Sequence, residues 1–359
     1  MKIVIFGLAI SSSWGNGHAT LWRGLCRGLI RRGHTVTFFE RDAPYYAEHR
    51  DLTELTGGKL LLYPEWETVR TEAEQDIREA DAVIVTSYCP DALEVGELLR
   101  NASALRVFYD LDTPVTLARL HAGEAVPYIG ERGLSEFDLV LSFTGGGALD
   151  ELHDRLGAQK VAPLYGSVDP EVHQPAPAQE QYRADLSYLG TYAVDRQEAL
   201  TELFIEPARG RPADRFVIGG AQYPQHFPWA PNIHFVRHLP PGEHPAFFAS
   251  SRWTLNVTRR AMAQYGFCPS GRLFEAAACG VPMISDSWPG LDEFFTPGTE
   301  LIVAGSAADV LNAMDLSDGE LRSIADSARE RVLAEHTSER RAEELEALLE
   351  RQPSQLAEA

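Results

Sequence analysis

Short apolar runs alternate with helical patterns along almost the whole chain, and this alternation constrains the fold more than any other feature. The runs Ile3–Ile10, Thr35–Phe39, Lys59–Tyr63, Ala82–Thr86, Leu105–Tyr109, Leu139–Phe143 and Val161–Tyr165 have the length and character of buried strands. Helical patterns such as Ala19–Arg31 and Ala92–Leu99 separate several of them. Strands spaced this way form a mostly parallel sheet covered by helices on both faces, because each crossover must traverse a face. The stretch from Gly166 to Gln181, with Gln174-Pro175-Ala176-Pro177, then breaks the rhythm and reads as a linker. A second series follows: Leu186–Leu189, Phe216–Ile218, Ile233–Val236, Thr254–Val257, Pro282–Ser285 and Leu301–Ala304. The expected organisation is an α/β chain of two Rossmann-like domains, 1–166 and 184–336, joined by a linker at 167–183. The charged amphipathic patterns Glu320–Glu335 and Ser338–Glu350 end the helical part, with a helix at 337–351 and a tail at 352–359.

Bulk properties fit two soluble α/β domains. A length of 359 residues gives each domain room for its own core. The net charge of −20, from 32 basic and 52 acidic residues, argues against nucleic acid or an anionic membrane as a general partner. Cys26, Cys89, Cys268 and Cys279 lack metal-site spacing and read as reduced thiols in a cytoplasmic protein. No apolar run approaches the roughly 18 residues of a membrane helix, and the Gly-rich turn after Ile3–Ile10 fits a first strand better than a signal peptide. Oligomeric state is not encoded in any pattern of this kind.

The most informative segment runs from Gly266 to Phe295. Pro269 and Ser270 fit a helix start with Ser270 as N-cap, while Gly280 and Pro282 fit its stop before a short apolar strand. A helix opened by Pro-Ser-Gly-Arg offers N–H groups, a positive dipole end and a guanidinium together, which suits a phosphate. Arg272 and Glu275 are three apart and so project from one face. A cation for phosphates and a carboxylate for ribose hydroxyls would grip a nucleoside diphosphate. The same spacing also serves a plain surface ion pair.

The segment resembles the donor-binding motif of glycosyltransferases of the GT-B fold, in the CgeB or spore-maturation-like branch. In related retaining families a Glu within a Leu-Glu-Ala-Met-Ala-Cys-Gly helix binds the donor ribose, and Phe274-Glu275-Ala276-Ala277-Ala278-Cys279-Gly280 matches it. Those families carry a further Glu eight positions earlier, near the sugar. Here that position is Phe267, with Tyr265 or Gln264 as the nearest candidates to replace it. The resemblance runs from Ser12 to about Glu346. It implies two Rossmann-like domains with parallel sheets facing a central cleft, the C-terminal one for a nucleotide-sugar donor, most commonly a UDP-sugar, and the N-terminal one for an acceptor, with the final helix, 337–351, crossing back to the N-terminal domain.

Other candidates follow the strand ends, where open α/β sheets bind ligands. Gly15, Asn16, Gly17 and His18 lie between the first strand and its helix. Both glycines would permit close approach and positive φ, and His18 could serve as general base or merely cap the turn. Asp110 and Asp112 form an Asp-x-Asp pair, but Thr113-Pro114 suggests a turn. That favours Asp112 as a residue contacting the acceptor over a metal ligand. Thr144-Gly145-Gly146-Gly147 repeats the strand-then-glycine pattern. In the second domain Gly190-Thr191 and Gly219-Gly220 end strands, while His238-Leu239 falls where the family holds the base. Arg259 would join Arg272, Ser270 and Gly271 around the diphosphate, unless it is a solvated basic turn. Asp286, Asp292 and Glu293 border this region. The reading is a glycosyltransferase that needs no metal or other cofactor, retaining favoured slightly over inverting. A nucleotide-sugar 2-epimerase of the same fold and a non-catalytic binder of small anions are the alternatives.

Overall fold

A computed structural model describes residues 1–350; residue 351 and the tail at 352–359 lie outside the described residues. The chain divides into two compact units, one formed by Met1–Gly166 with the chain from Ser338 onward, the other by Ser167–Thr337. Each contains one parallel sheet.

The first sheet contains β1 (Lys2–Gly7), β2 (Thr35–Arg41), β3 (Lys59–Tyr63), β4 (Ala82–Thr86), β5 (Leu105–Asp110), β6 (Leu139–Ser142) and β7 (Val161–Pro163). Their spatial order is β3-β2-β1-β4-β5-β6-β7, and every pairing is parallel. All five residues of β4 are buried, as a strand covered on both faces requires. The second sheet holds β8 (Ala184–Leu189), β9 (Phe216–Gly220), β10 (Ile233–Arg237), β11 (Ser251–Asn256), β12 (Met283–Ser285) and β13 (Ile302–Val303), ordered β10-β9-β8-β11-β12-β13. It is parallel throughout. Strand order reverses direction at β1/β4 in one sheet and at β8/β11 in the other. Crevices of open α/β sheets form at such points, beyond the carboxyl ends of the strands.

Three expectations are corrected here. The first apolar run stops being a strand at Gly7, where any Cβ would come within 2.6 Å of the Phe38 ring. Beyond it the buried Glu40 carboxylate accepts the Ile10 and Ser11 N–H groups at 2.7 and 2.9 Å and draws the chain into a loop. Thr113-Pro114 does not make a turn; it opens the Thr113–His121 helix, because a proline in the first turn removes only an N–H that would lack a partner anyway. Residues 167–183, the expected linker, group with the second unit. There Gln179 donates its N–H to Ser250 Oγ at 2.8 Å, and the His173 side chain is buried. Finally, Gly17 is not a positive-φ position, as described below.

The Ser338–Glu350 helix packs in the first unit against the Gly17–Arg31 helix. Gly28 permits this approach, since a Cβ there would lie 2.8 Å from Ala342 Cβ. Leu345 and Leu349 join Trp22, Leu25 and Leu29 in one core, and His34 Nε2 lies 3.3 Å from Glu346. Among the described residues no helix is long and apolar enough to cross a membrane.

Candidate functional site

In the second unit the Gly271–Ala278 helix buries Leu273, Phe274, Ala276, Ala277 and Ala278. That leaves Arg272 and Glu275 on the remaining face, both partly buried. Ser270 occupies the N-cap position with extended backbone, yet its side chain makes no capping bond. Arg272 lies over the Tyr188 ring, 5.3 Å from its centroid, and donates from Nη1 to Asn256 Oδ1 at 3.3 Å. Among the described residues no carboxylate comes within 4.0 Å of its guanidinium. Desolvation lowers its pKa from the ordinary value, so its charge is held at a cost. Gly190 provides the space, because a Cβ there would sit 2.9 Å from Arg272 Nη2 and 2.8 Å from Tyr188 Oη.

Glu275 faces two imidazoles. Its Oε2 is 3.7 Å from His244 Nδ1 and 3.9 Å from His173 Nε2. Burial works against its charge, but His173, His244 and Arg272 outweigh that effect and hold the carboxyl down at about 2. His173 comes from a tight turn in which its N–H bonds to Asp169 O at 2.9 Å, and burial lowers its pKa.

The other donor candidates are distributed unevenly. Gly190 N–H bonds to Gly219 O at 2.8 Å, and a Cβ on Gly220 would lie 2.1 Å from Gly190 O, so these glycines serve each other's packing as well as any ligand. Thr191 is exposed next to them. His238 has φ +59 and donates its N–H to Gly220 O at 2.9 Å, with Leu239 buried behind it. Arg259 is not gathered with Arg272; it donates from Nε to Asp195 Oδ2 at 3.0 Å. Arg196 is the arginine whose charge Arg272 feels. Asp286 accepts the Thr258 N–H at 2.9 Å and the Thr258 hydroxyl at 2.9 Å, which fixes the loop after β11. Asp292 and Glu293 are exposed in the first turn of a short helix. Phe267 adopts φ +45, its ring against Gly290, where a Cβ would come within 2.5 Å.

In the first unit the loop after β1 is held by Glu40 and Asp51 from elsewhere and by its own Asn16. Asn16 caps the Gly17–Arg31 helix by accepting the His18 N–H at 3.1 Å, and its amide donates to Ala9 O and Ser12 O, each at 3.3 Å. Gly15 takes φ +61, whereas Gly17 is helical and a Cβ there would meet nothing. His18 Nε2 lies 3.7 Å from Asp112 Oδ2, so the two residues singled out for catalysis are neighbours. Tyr88, from the loop after β4, stands beside both: its ring is 5.7 Å from the His18 ring, and its φ is +64. Burial, followed by the charge of Asp112, raises its pKa. Asp110 is fully buried and accepts the Asp112 N–H at 3.1 Å; burial, with a further contribution from Asp112, pushes its pKa up to about 6. After β6, Ser142 Oγ and Thr113 Oγ1 share a 2.7 Å bond and Gly146 takes φ +57.

Residues 196–347 match a protein-family model described as glycosyl transferase-like. Among curated proteins no sequence matches the chain. Solved structures resemble it over nearly its whole length. Sucrose-phosphate synthase from Thermosynechococcus elongatus aligns with a TM-score of 0.70 at 16% identity, covering 98% of each chain. HepE of Anabaena, solved with UDP-glucose, gives 0.65 at 13% identity over 98% of this chain and 100% of its own. An alpha-glucosyltransferase in complex with UDP gives 0.70 at 13% identity, again over 98% and 100%. The fold is of the GT-B type. Identities this low establish architecture alone, and the activity rests on the site residues.

Sequence reading missed Tyr88, Asn256, His173, His244 and Tyr188. Tyr88 and Asn256 sit at the ends of β4 and β11, the strands at the two switch points, so topology would have found them. His173 was hidden in the stretch taken for a linker, and His244 and Tyr188 carried no local pattern.

Proposed function

We propose that the protein is a metal-independent glycosyltransferase that moves a sugar from a UDP-sugar to an acceptor, in the CgeB-like branch of the GT-B enzymes. The observation that carries this is Arg272: a partly buried guanidinium at a helix N-terminus, with only the neutral Asn256 and the Tyr188 ring as contact partners among the described residues. A desolvated cation without a carboxylate at ion-pair distance is costly, and an anionic ligand reduces the cost. The diphosphate of the donor is that anion. Glu275, on the same helix face and held ionised, takes the ribose hydroxyls. The family match over 196–347 and the UDP complexes of the structural neighbours support the same reading.

In this mechanism the departing diphosphate is stabilised by Arg272 and the helix N–H groups at Ser270–Gly271, with Arg259 recruited only if it leaves Asp195. His18 accepts the acceptor's proton, and Asp112 orients the imidazole and stabilises its charged form. Retention of configuration is the favoured outcome, on the strength of the ribose Glu. Four free, buried cysteines support a cytoplasmic location.

The test is incubation with a panel of nucleotide sugars in EDTA, with and without candidate acceptors. Transfer or slow hydrolysis of a UDP-sugar supports the proposal. A rearranged sugar nucleotide would mark an epimerase, binding without turnover a non-catalytic binder, and activity that returns only with Mn²⁺ would refute metal independence.

A further inference from the structure

The nucleotide reading leaves the two imidazoles beside Glu275 unexplained. His173 arrives from the turn after Asp169, His244 from the start of the His244–Ala249 helix, and Glu275 from the Gly271–Ala278 helix. Their ligand atoms all lie within 4.8 Å of one another. His173 Nδ1 and Nε2 and His244 Nδ1 are buried and have no hydrogen-bond partner among the described residues. The distances to Glu275 Oε2, 3.7 and 3.9 Å, are too long for hydrogen bonds. They are close to the separation of about 3.4 Å between two ligands at 2.0–2.1 Å from one tetrahedral ion. Unpartnered buried imidazole nitrogens converging on a carboxylate are a costly arrangement, and a cation resolves it. The side chains of His244 and Glu275 retain 17% and 16% exposure, which leaves a route in.

We propose that His173, His244 and Glu275 form a binding site for a divalent transition-metal ion of the zinc type, and that an ion there excludes the nucleotide. Two imidazoles and a carboxylate with a fourth position open to water suit such an ion far better than Mg²⁺ or Ca²⁺, which prefer all-oxygen shells. The exclusion rests on the role of Glu275 given above, because an ion on Oε2 withdraws one of the two oxygens that the ribose hydroxyls would share. Zinc would then act as a reversible inhibitor, lifted by chelation.

Titration of the metal-free protein with Co²⁺ and Zn²⁺, without nucleotide, tests the site. The expected result is one equivalent bound, with the intense visible bands of four-coordinate Co²⁺, and affinity at least 100-fold lower in His244→Gln and in Glu275→Gln. Because His173 is fully enclosed, its variant is judged only if its melting temperature is kept. Absent bands, or binding unchanged in His244→Gln, overturn the site, whatever the protein does with UDP. With the site confirmed, one bound equivalent of Zn²⁺ should weaken UDP binding at least tenfold. Unchanged UDP affinity would overturn the exclusion and remove Glu275 from the ribose, while leaving the metal site standing.

Discussion

Arg272→Met separates function from stability in a way few substitutions in this protein would. Methionine keeps an unbranched stem against the Tyr188 ring, where the guanidinium now lies 5.3 Å from the centroid, and removes only the charged head. Among the described residues the head has one protein acceptor, the neutral Asn256 Oδ1, at a long 3.3 Å. Losing it costs about 1.5 kcal/mol, the low end for a hydrogen bond to a charged group, and the lost cation–π contact about 0.5–1 kcal/mol. Against this, the substitution relieves the desolvation of a charge that Glu275 offsets only in part. The two effects nearly cancel, so stability should stay within about 1 kcal/mol of wild type. UDP binding has no such compensation: hydrogen bonds to a charged group contribute about 1.5–3 kcal/mol, or roughly a 10- to 150-fold loss of affinity. Urea melts and titration calorimetry on the same preparation supply both numbers. A variant that loses several kcal/mol of stability while binding UDP as before would show that Arg272 is a structural residue, and the phosphate argument would fall.

Three further outcomes follow from the geometry. Gly190→Ala would put a methyl group 2.9 Å from Arg272 Nη2 and 2.8 Å from the buried Tyr188 hydroxyl. Overpacking of about 1–3 kcal/mol and weaker UDP binding should appear together in melting and calorimetry; wild-type behaviour in both would show that the loop simply moves aside. His18→Ala should cut transfer by about 10²–10⁴ while UDP affinity changes by no more than about twofold, as expected of an acid–base residue away from the nucleotide; full activity would reduce His18 to a helix-start residue. Asp110, with its carboxyl raised from 3.8 to about 6, is ionised in the unfolded chain before it is in the folded one. Stability should therefore fall as pH rises from about 4 to 6 and stay reduced above that, by up to about 3 kcal/mol from this residue. Asp110→Asn should abolish that slope in urea melts taken at pH 4, 5, 6 and 7; a slope retained in full would show that another group carries it.

Much of the architecture is legible from residue pattern because parallel strands buried on both faces leave continuous apolar runs. Ala82–Thr86, buried throughout, coincides with a strand end to end for this reason. Strand ends are less legible where tertiary contacts set them, as Glu40 does for β1 by capturing two backbone N–H groups. The candidate site divides in the same way. Arg272 and Glu275 were readable because one helix carries both, and His18 because it opens the helix after β1. Neither the carboxylate that claims Arg259 nor the imidazoles around Glu275 could be foreseen, since Asp195, His173 and His244 are brought in by distant segments. Phe267 shows the limit of motif transfer: an aromatic residue in a left-handed conformation holds the position where the related families place a carboxylate.

Titration calorimetry of UDP and of uridine into the wild-type protein in EDTA tests the central claim most directly. The account predicts one site per chain, with UDP bound at least tenfold more tightly than the nucleoside, because Arg272 and the helix N-terminus recognise the diphosphate. Equal affinity for the two, or no binding of UDP without added metal, would contradict it.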